Sequence, residues 1–407
     1  MPSSEPFKQP AGSGLDPLIE LPAGRQARYR CAGLARDRPG SPLTMRPQPP
    51  THPAALRGAP IQWAGLERIL VVRPDNLGDV LMIGPALRAL RSAAPRARLE
   101  LLASPSGAAA APLLGGLDAC LAASVPWQDA SGGMVTPESL HRLVARLAAR
   151  SYQAAVLFTS FSQSPWPAAY ACALAEIPIR AGASREFGGA MLTHWIDDLP
   201  DEAHQVDRAA ELLTRLGVPV PERALRVKIP RQAEQDAQAI AGPRRYAVLL
   251  PGASCAARRW PPHRFAELAG RLGSAGLRVL VAGTSRERDL VRQVCAGAGP
   301  AGVDLAGALD LATLAALLRR AEIAVTNNSG GMHLADAVGA PLLALFAGTE
   351  RESEYRPRSA RARVLRRPTP CTPCRAFDCP LGHHECLDIT AARVADAALA
   401  LRARSAV

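Results

Sequence analysis

Three observations predict two doubly wound, Rossmann-like α/β domains facing a cleft in this 407-residue chain. Short apolar runs alternate with amphipathic stretches from Leu66 onward. The rhythm restarts near Tyr246, after a charged, irregular stretch from Pro219 to Arg245. Both halves begin with an apolar run that enters a glycine-containing loop and then a helix. Strand, helix, strand in this order implies parallel sheets covered on both faces. At roughly 100–200 residues per domain, the length accommodates two cores plus extensions. The expected division is an extension over 1–60, a first domain over 66–225 and a second over 226–407.

The extension is rich in Pro, Gly, Ser and Arg and has no sustained period of 2 or 3.6. It is expected to be disordered, because it cannot bury enough surface to offset chain entropy. Met45 lies within it and offers an internal start. Strands are expected at Ile69 to Val72, Leu99 to Leu102, Ala154 to Phe158, Ala247 to Leu250, Val279 to Ala282, Ile323 to Thr326 and Leu342 to Phe346. Helices are expected at Val80 to Arg91, Pro137 to Ala149, His263 to Gly273, Arg286 to Cys295 and Leu311 to Arg320.

Hydrophobic residues make up 48% of the chain, normal for a protein that buries its cores. The formal charge is +12, and residues 351 to 375 alone hold eight arginines and two glutamates. That cluster reads either as a solvated loop or as a landing site for phosphate-rich partners or anionic lipid head groups. The charge-free stretch from Ser151 to Ala175 carries Pro165, Pro167, Gln153 and Gln163, which suits a buried helix and loops better than a bilayer span. No compact apolar segment follows basic residues at the amino terminus, so an export signal is not expected.

The usual nucleotide signatures are missing or misplaced. No Gly-x4-Gly-Lys-Ser/Thr occurs. Gly297 to Gly302 satisfies Gly-x-Gly-x-x-Gly, but it follows a helix and precedes a short apolar run, the reverse of a dinucleotide site. No Asp-x-Asp pair offers a divalent-cation site on a diphosphate.

Four other segments carry chemistry, each at the carboxyl end of an expected strand, where open α/β sheets bind ligands. Arg73-Pro74-Asp75-Asn76-Leu77-Gly78-Asp79-Val80 places Asp79 just past a glycine, as a base or as a helix cap near Val80. Pro251 to Pro261 joins Ser254 with Arg258 and Arg259, which suit a phosphate. Gly283-Thr284-Ser285-Arg286-Glu287 offers Glu287 to a ribose diol or base, or to the helix dipole. Thr326 to Ala337 leads through Asn328, Ser329 and Gly330 into a helix whose free amides and positive dipole end favour an anion, with His333 in its first turn. Ser329 also reads as an ordinary N-cap.

Together and in order, Leu77-Gly78-Asp79-Val80 with Pro85-Ala86-Leu87, Ala257-Arg258-Arg259-Trp260-Pro261 and Asn328 to Ala335 resemble glycosyltransferase family 9, the bacterial ADP-heptose:lipopolysaccharide heptosyltransferases. The resemblance runs from about Leu66 to the carboxyl terminus. It implies a GT-B fold with the acceptor in the first domain and the nucleotide sugar in the second. It also implies inverting transfer without a metal or other cofactor, with ADP-heptose as donor and a lipid-linked saccharide of the lipopolysaccharide core as acceptor. Asp79 then matches the catalytic base. Ser254, Arg258, Glu287, Asn328, Ser329, Gly330 and His333 fall on the donor side. Asn328 departs from the pattern, since the position is commonly aspartate. The implied setting is cytoplasmic, at the inner face of the cytoplasmic membrane, with no nucleic-acid partner. A nucleotide-sugar-binding module without transfer activity is the alternative. An oxidoreductase is disfavoured by the missing dinucleotide fingerprint.

Of nine cysteines, Cys371, Cys374, Cys379 and Cys386 form C-x2-C-x4-C-x6-C beside His383 and His384. In a reducing compartment that spacing suits a metal better than disulfides. Reduced thiols in an ordered loop are expected ahead of either.

Overall fold

The computed structural model describes residues 58–128, 136–160, 163–200 and 202–405. Residues 1–57, with Met45 and Cys31 and nearly all of the expected extension, lie outside the described residues.

The first sheet contains β1 (Arg68–Arg73), β2 (Arg98–Ala103), β3 (Ala119–Ala122), β4 (Ala154–Leu157), β5 (Ile179–Ala183) and β6 (His194–Ile196). Its helices are α1 (Leu77–Met82), α2 (Gly84–Ala93), α3 (Pro105–Ala108), α4 (Pro137–Ala148), α5 (Trp166–Leu174) and α6 (Gln205–Arg215). The second half runs α7 (Arg231–Ala241), β7 (Tyr246–Leu250), α8 (Pro262–Ser274), β8 (Arg278–Gly283), α9 (Arg288–Gly297), β9 (Gly302–Ala306), α10 (Leu311–Arg320) and β10 (Ile323–Asn327). It continues with α11 (Gly330–Ala337), β11 (Leu342–Leu345), α12 (Glu352–Tyr355), β12 (Ala362–Leu365) and α13 (Ala391–Ser405).

The sheet orders are β3-β2-β1-β4-β5-β6 and β12-β11-β10-β7-β8-β9. Every strand pair is parallel. The two sheets are thus one topology used twice, wound outward from β1 and β4 in the first and from β7 and β10 in the second. The strand order reverses at those central pairs, and a crevice opens at their carboxyl ends. Both sheets belong to one compact unit, His52–Val407.

The central strands are apolar because both faces are covered: Ile69, Leu70 and Val71 in β1, and Ile323, Ala324 and Val325 in β10, have no exposed surface. All seven expected strands are present. The five missed ones, β3, β5, β6, β9 and β12, lack a long apolar run, and four of them are sheet edges where one side meets solvent. The single helix expected from Val80 to Arg91 is two, broken at Ile83. Pro85 at the start of α2 has no N–H to continue the ladder, so a new helix begins there. The Gly-x-Gly-x-x-Gly match spans the end of α9 and the start of β9, the reversed context expected from its neighbours.

Helices α8 and α9 cross at Gly270 and Gly297, where a Cβ on Gly297 would stand 2.1 Å from the Ala266 carbonyl oxygen. Backbone cannot yield as a side chain does, so Gly297→Ala is expected to destabilise the second half by about 1–3 kcal/mol in urea denaturation. A change within a few tenths of that scale would show that the helices are free to separate.

Candidate active site

The first half of the site grows from the end of β1. Arg73 closes an otherwise apolar strand and is only 2% exposed, so its charge needs partners. Its Nη2 donates to Asp79 Oδ1 at 3.1 Å and to Ser160 Oγ, beyond β4, at 2.9 Å. Its Nε stands 3.0 Å from Asp75 Oδ2, an ion pair without hydrogen-bond alignment. Asp75 Oδ1 in turn accepts from Gln128 at 3.0 Å and from Gln163. Burial opposes the Arg73 charge, but the two aspartates outweigh it and raise its pKa.

Asp79 does not cap a helix. Helix α1 begins at Leu77, with Asn76 as its N-cap, and Asp79 sits inside the first turn. The cap expected near Val80 is therefore displaced three residues towards Pro74. The Asp79 side chain keeps 18% exposure and borders a pocket with Arg73, Ile83, Phe158 and Gln205. Burial raises its pKa, opposed by Arg73 and, across the cleft, by Arg258, while Asp75 pushes it up.

The second half grows from β7 and β10. The loop after β7 is tied down from several sides. Arg259 donates to the Ala253 carbonyl at 2.8 and 3.1 Å. Asn327 donates to the Pro251 carbonyl at 2.7 Å and accepts from Trp260 N at 3.0 Å. Trp260 is fully buried against Phe265. Arg259 thus shapes the loop instead of facing a ligand, which leaves Arg258 as the charged group. Arg258 Nε donates to Thr349 Oγ1 at 3.2 Å, and its Nη2 pairs with Glu350. Ser254 is exposed on the same loop.

Glu287 forms a capping box with Thr284, accepting from its N at 2.8 Å and its Oγ1 at 2.9 Å through Oε2. Its Oε1 lies where a Cβ on Gly252 would come within 2.0 Å, so the carboxylate is pressed against the β7 loop. Ser329 is the N-cap of α11, but its hydroxyl makes no capping bond. Asn328 is only 2% exposed; its Oδ1 accepts from Ala347 N at 3.0 Å and its Nδ2 lies 3.5 Å from Glu350 Oε2. Both ends of that amide are already engaged within the fold.

The halves meet where α1 and α11 touch. A Cβ on Gly78 would stand 2.7 Å from His333 Cδ2, and one on Gly330 would stand 3.1 Å from Leu77 Cβ. His333 is buried, with no hydrogen-bond partner at Nδ1. Burial, with His204 once it is protonated in acid and with the Arg258 cation, lowers its pKa to about 3, so near neutral pH it is a neutral imidazole. Asp79, Arg258, Asn328, Gly330 and His333 therefore converge, while Ser254 and Glu287 line the β7 and β8 side.

Glu350 was not read from the sequence, and neither were the roles of Arg73 and Asp75. Burial pushes the Glu350 carboxyl up to about 7, with Arg258 pulling it down and Asp79 pushing it further up. A charged residue closing an apolar strand, as Arg73 does, was the signal available for the first of these. Glu350 had only its place just past β11.

The four clustered cysteines are free thiols. They line a small pocket with His383 and His384. Among the described residues, no three His, Cys, Asp or Glu side chains are arranged to hold a metal ion.

Two parallel sheets with charged groups gathered where their carboxyl edges face each other define a GT-B architecture. The model of glycosyltransferase family 9 (heptosyltransferase) matches residues 140–384, and the chain belongs to that family. Asp79 precedes the matched segment. The chain is 29% identical over 345 residues to lipopolysaccharide heptosyltransferase 2 of Salmonella typhimurium, covering 80% of this chain and 96% of that protein. It is 28% identical to the Escherichia coli protein of the same name over 80% and 96% of the two chains. Its fold matches the solved E. coli ADP-heptose LPS heptosyltransferase II with a TM-score of 0.67 at 24% identity, over 84% of this chain and 100% of that one. A family 9 glycosyltransferase from Veillonella parvula matches with a TM-score of 0.68 at 21% identity, over 84% and 99%.

Because the folded state disfavours the His333 imidazolium, the unfolded chain takes up a proton first as pH falls below about 6.5. His333 is therefore expected to draw down stability from there towards its folded pKa of about 3, as is His204 towards about 4. His333→Gln should flatten the acid limb of stability against pH, measured by denaturation at fixed pH values. An unchanged limb would place a charged imidazole in the folded protein.

Proposed function

We propose that the protein transfers a heptose from ADP-heptose to an acceptor hydroxyl of the lipopolysaccharide core, with inversion at the anomeric carbon. The observation that carries this reading is the opposition of Asp79, in the first turn of α1, to Arg258 and the amino end of α11 across one cleft. The names of the relatives supply the donor and acceptor classes.

In this mechanism the acceptor enters from the first half, along the cavity bordered by Asp79 and Phe158. The nucleotide sugar lies on the second half. The acceptor oxygen attacks the anomeric carbon from the face opposite the diphosphate, Asp79 takes its proton, and the bond from that carbon to the diphosphate oxygen breaks. The leaving oxygen keeps the electron pair of that bond, so the departing ADP carries three negative charges, one more than the bound donor. Arg258, the amides at Ser329 and Gly330 and the α11 dipole compensate them without a metal. Neutral His333, in the first turn of α11, donates its ring N–H to the same group. Glu287 and Ser254 face the nucleoside. Asn328 supplies no negative charge, and the donor sugar meets a neutral amide there.

Arg73 has a positioning role. It holds the Asp79 carboxylate by one oxygen and leaves the other for the acceptor proton. Since Asp79 must be deprotonated to accept that proton and its pKa is raised, turnover is expected to rise with pH along the acid limb.

No helix among the described residues is long and apolar enough to cross a membrane. In the proposed reaction the lipid-linked acceptor is met by peripheral contact at the cytoplasmic face of the inner membrane, the setting that the family resemblance implies.

Incubating the protein with ADP-heptose and a heptose-deficient lipopolysaccharide acceptor tests the reading. Asp79→Asn is expected to lower kcat by about 10²–10⁴-fold while donor affinity stays within a few-fold. Arg258→Ala is expected to weaken donor binding and lower kcat together. Tight donor binding without turnover in the unaltered protein would instead mark a binding module, and no nucleotide-sugar binding would defeat the assignment.

A further inference from the structure

Glu350 is an odd group to find beside a diphosphate. Its side chain is 11% exposed and is paired directly to Arg258, the one guanidinium at the carboxyl edge of β7 that no backbone carbonyl engages in the described hydrogen bonds. It lies 3.5 Å from the Asn328 amide nitrogen and within electrostatic reach of Asp79. A donor diphosphate arriving at Arg258 would therefore displace a carboxylate from its partner and leave that carboxylate buried, beside two phosphates and Asp79.

The charge balance makes the difficulty concrete. Asp75, Asp79 and Glu350 stand against Arg73 and Arg258, an excess of one negative charge before any ligand binds. A nucleotide sugar adds two more through its diphosphate. Glu354 and Arg375 do not change the sum, because Arg375 Nη2 bonds both Glu354 oxygens at 3.0 Å. An unpaired carboxylate buried at such a place costs several kcal/mol, and a carboxyl group escapes that cost by binding a proton.

We propose that Glu350 holds Arg258 in the donor-free enzyme and releases it to the diphosphate by taking a proton from solvent, so that donor binding is coupled to uptake of one proton. This rests on the assignment of Arg258 to the donor diphosphate.

The surroundings favour Glu350 as the proton acceptor. The groups facing it are Arg258 on the β7 loop, Asp79 on α1, Asn328 after β10, Glu354 and Tyr355 on α12, and Arg375. Arg73 binds Asp79 directly and helps keep that carboxylate ionised, whereas Glu350 loses its guanidinium as the phosphates arrive. The Glu350 carboxyl already titrates at about 7, so the proton is available near neutral pH. His333 and His204 are neutral there, with values of about 3 and about 4. As a positioning residue, Glu350 keeps Arg258 extended along the cleft until the ligand replaces it.

The test uses ADP-heptose, whose diphosphate is a diester and keeps constant charge around neutrality, unlike ADP. If only protein with a protonated Glu350 binds, about a tenth of it is competent at pH 8 and nearly all at pH 6. The dissociation constant should then weaken about tenfold over that interval. Calorimetry of the unaltered protein in two buffers of different ionisation enthalpy should report uptake of close to one proton at pH 8. Glu350→Gln should bind at pH 8 as tightly as the unaltered protein does at pH 6, with no pH slope and no proton uptake. Glu350→Asp should keep a slope, and so should Asp79→Asn. A flat profile or absent uptake in the unaltered protein overturns the proposal, independently of any variant's folding. So does a slope that survives Glu350→Gln or vanishes in Asp79→Asn. Failure to bind ADP-heptose at any pH removes the donor-site assignment and this proposal with it. Binding with the expected proton but without transfer supports the proposal while the transfer assignment fails.

Discussion

The site depends on one buried cation. Arg73 is placed by β1, the central strand of the first sheet, and its guanidinium reaches Asp75, Asp79 and Ser160 from a position almost closed to water. A charge so placed is costly unless its hydrogen bonds are filled, and removing one partner of such a pair costs about 3–5 kcal/mol. The loop after β1 therefore has little freedom. Asp75 is fixed by Arg73 and two glutamines, Asp79 by Arg73, and α1 begins where those contacts require. The acidic group that faces the cleft is held by the same guanidinium that makes the more buried pair with Asp75.

That rigidity matters because the two halves touch through short helices and small residues. Helices α1 and α11 each follow a central strand, and they approach closely only because Gly78 and Gly330 have no side chains. The same approach sets Asp79 opposite Arg258 and buries His333 as a neutral ring. One topology used twice, with both switch points turned towards each other, thus brings a carboxylate from one half against the amino end of a helix from the other.

Much of this was legible in the sequence, and the remainder was hidden for identifiable reasons. Central strands such as β1 and β10 are buried on both faces and read as continuous apolar runs. Edge strands such as β3 and β6 are short and half covered, and they left no run to read. Asp79, Arg258 and His333 were visible because each follows an apolar run through a turn into a helix. Their convergence is the part that spacing cannot supply. The partition between Arg258 and Arg259 was not visible either. Adjacent arginines look alike in sequence, and only the loop geometry turns Arg259 back onto the Ala253 carbonyl. Glu350 was missed because its partners lie 92 and 22 residues away in the chain and nothing beside it marks the position. Residues 1–57 lie outside the described residues, so the expected extension has no structural counterpart to compare.

The basic stretch from 351 to 375 shows how a charge count can mislead about a surface. Five of its eight arginines are ion-paired: Arg351 with Glu202 and Glu354, Arg358 with Asp207, Arg366 with Glu352, Arg367 with Glu385 and Asp388, and Arg375 with Glu354. Two of those partners, Glu202 and Asp207, belong to the first half of the chain, next to or on α6. The Arg356 carbonyl accepts from His204 Nε2 at 2.9 Å, since His204 Nδ1 already accepts from Val206 N. Gln205 donates to the Tyr355 hydroxyl at 3.1 Å. The stretch therefore acts first as a second junction between the halves, beside the one made by α1 and α11. Exposed pairs of this kind contribute little singly, about 0–1 kcal/mol, and salt screens them. Their value is in register: α12, which follows Glu350, is held against α6, which follows the first sheet. Glu350 consequently keeps its place beside Arg258 partly because Arg351 and Arg358, which follow it, are engaged with the other half.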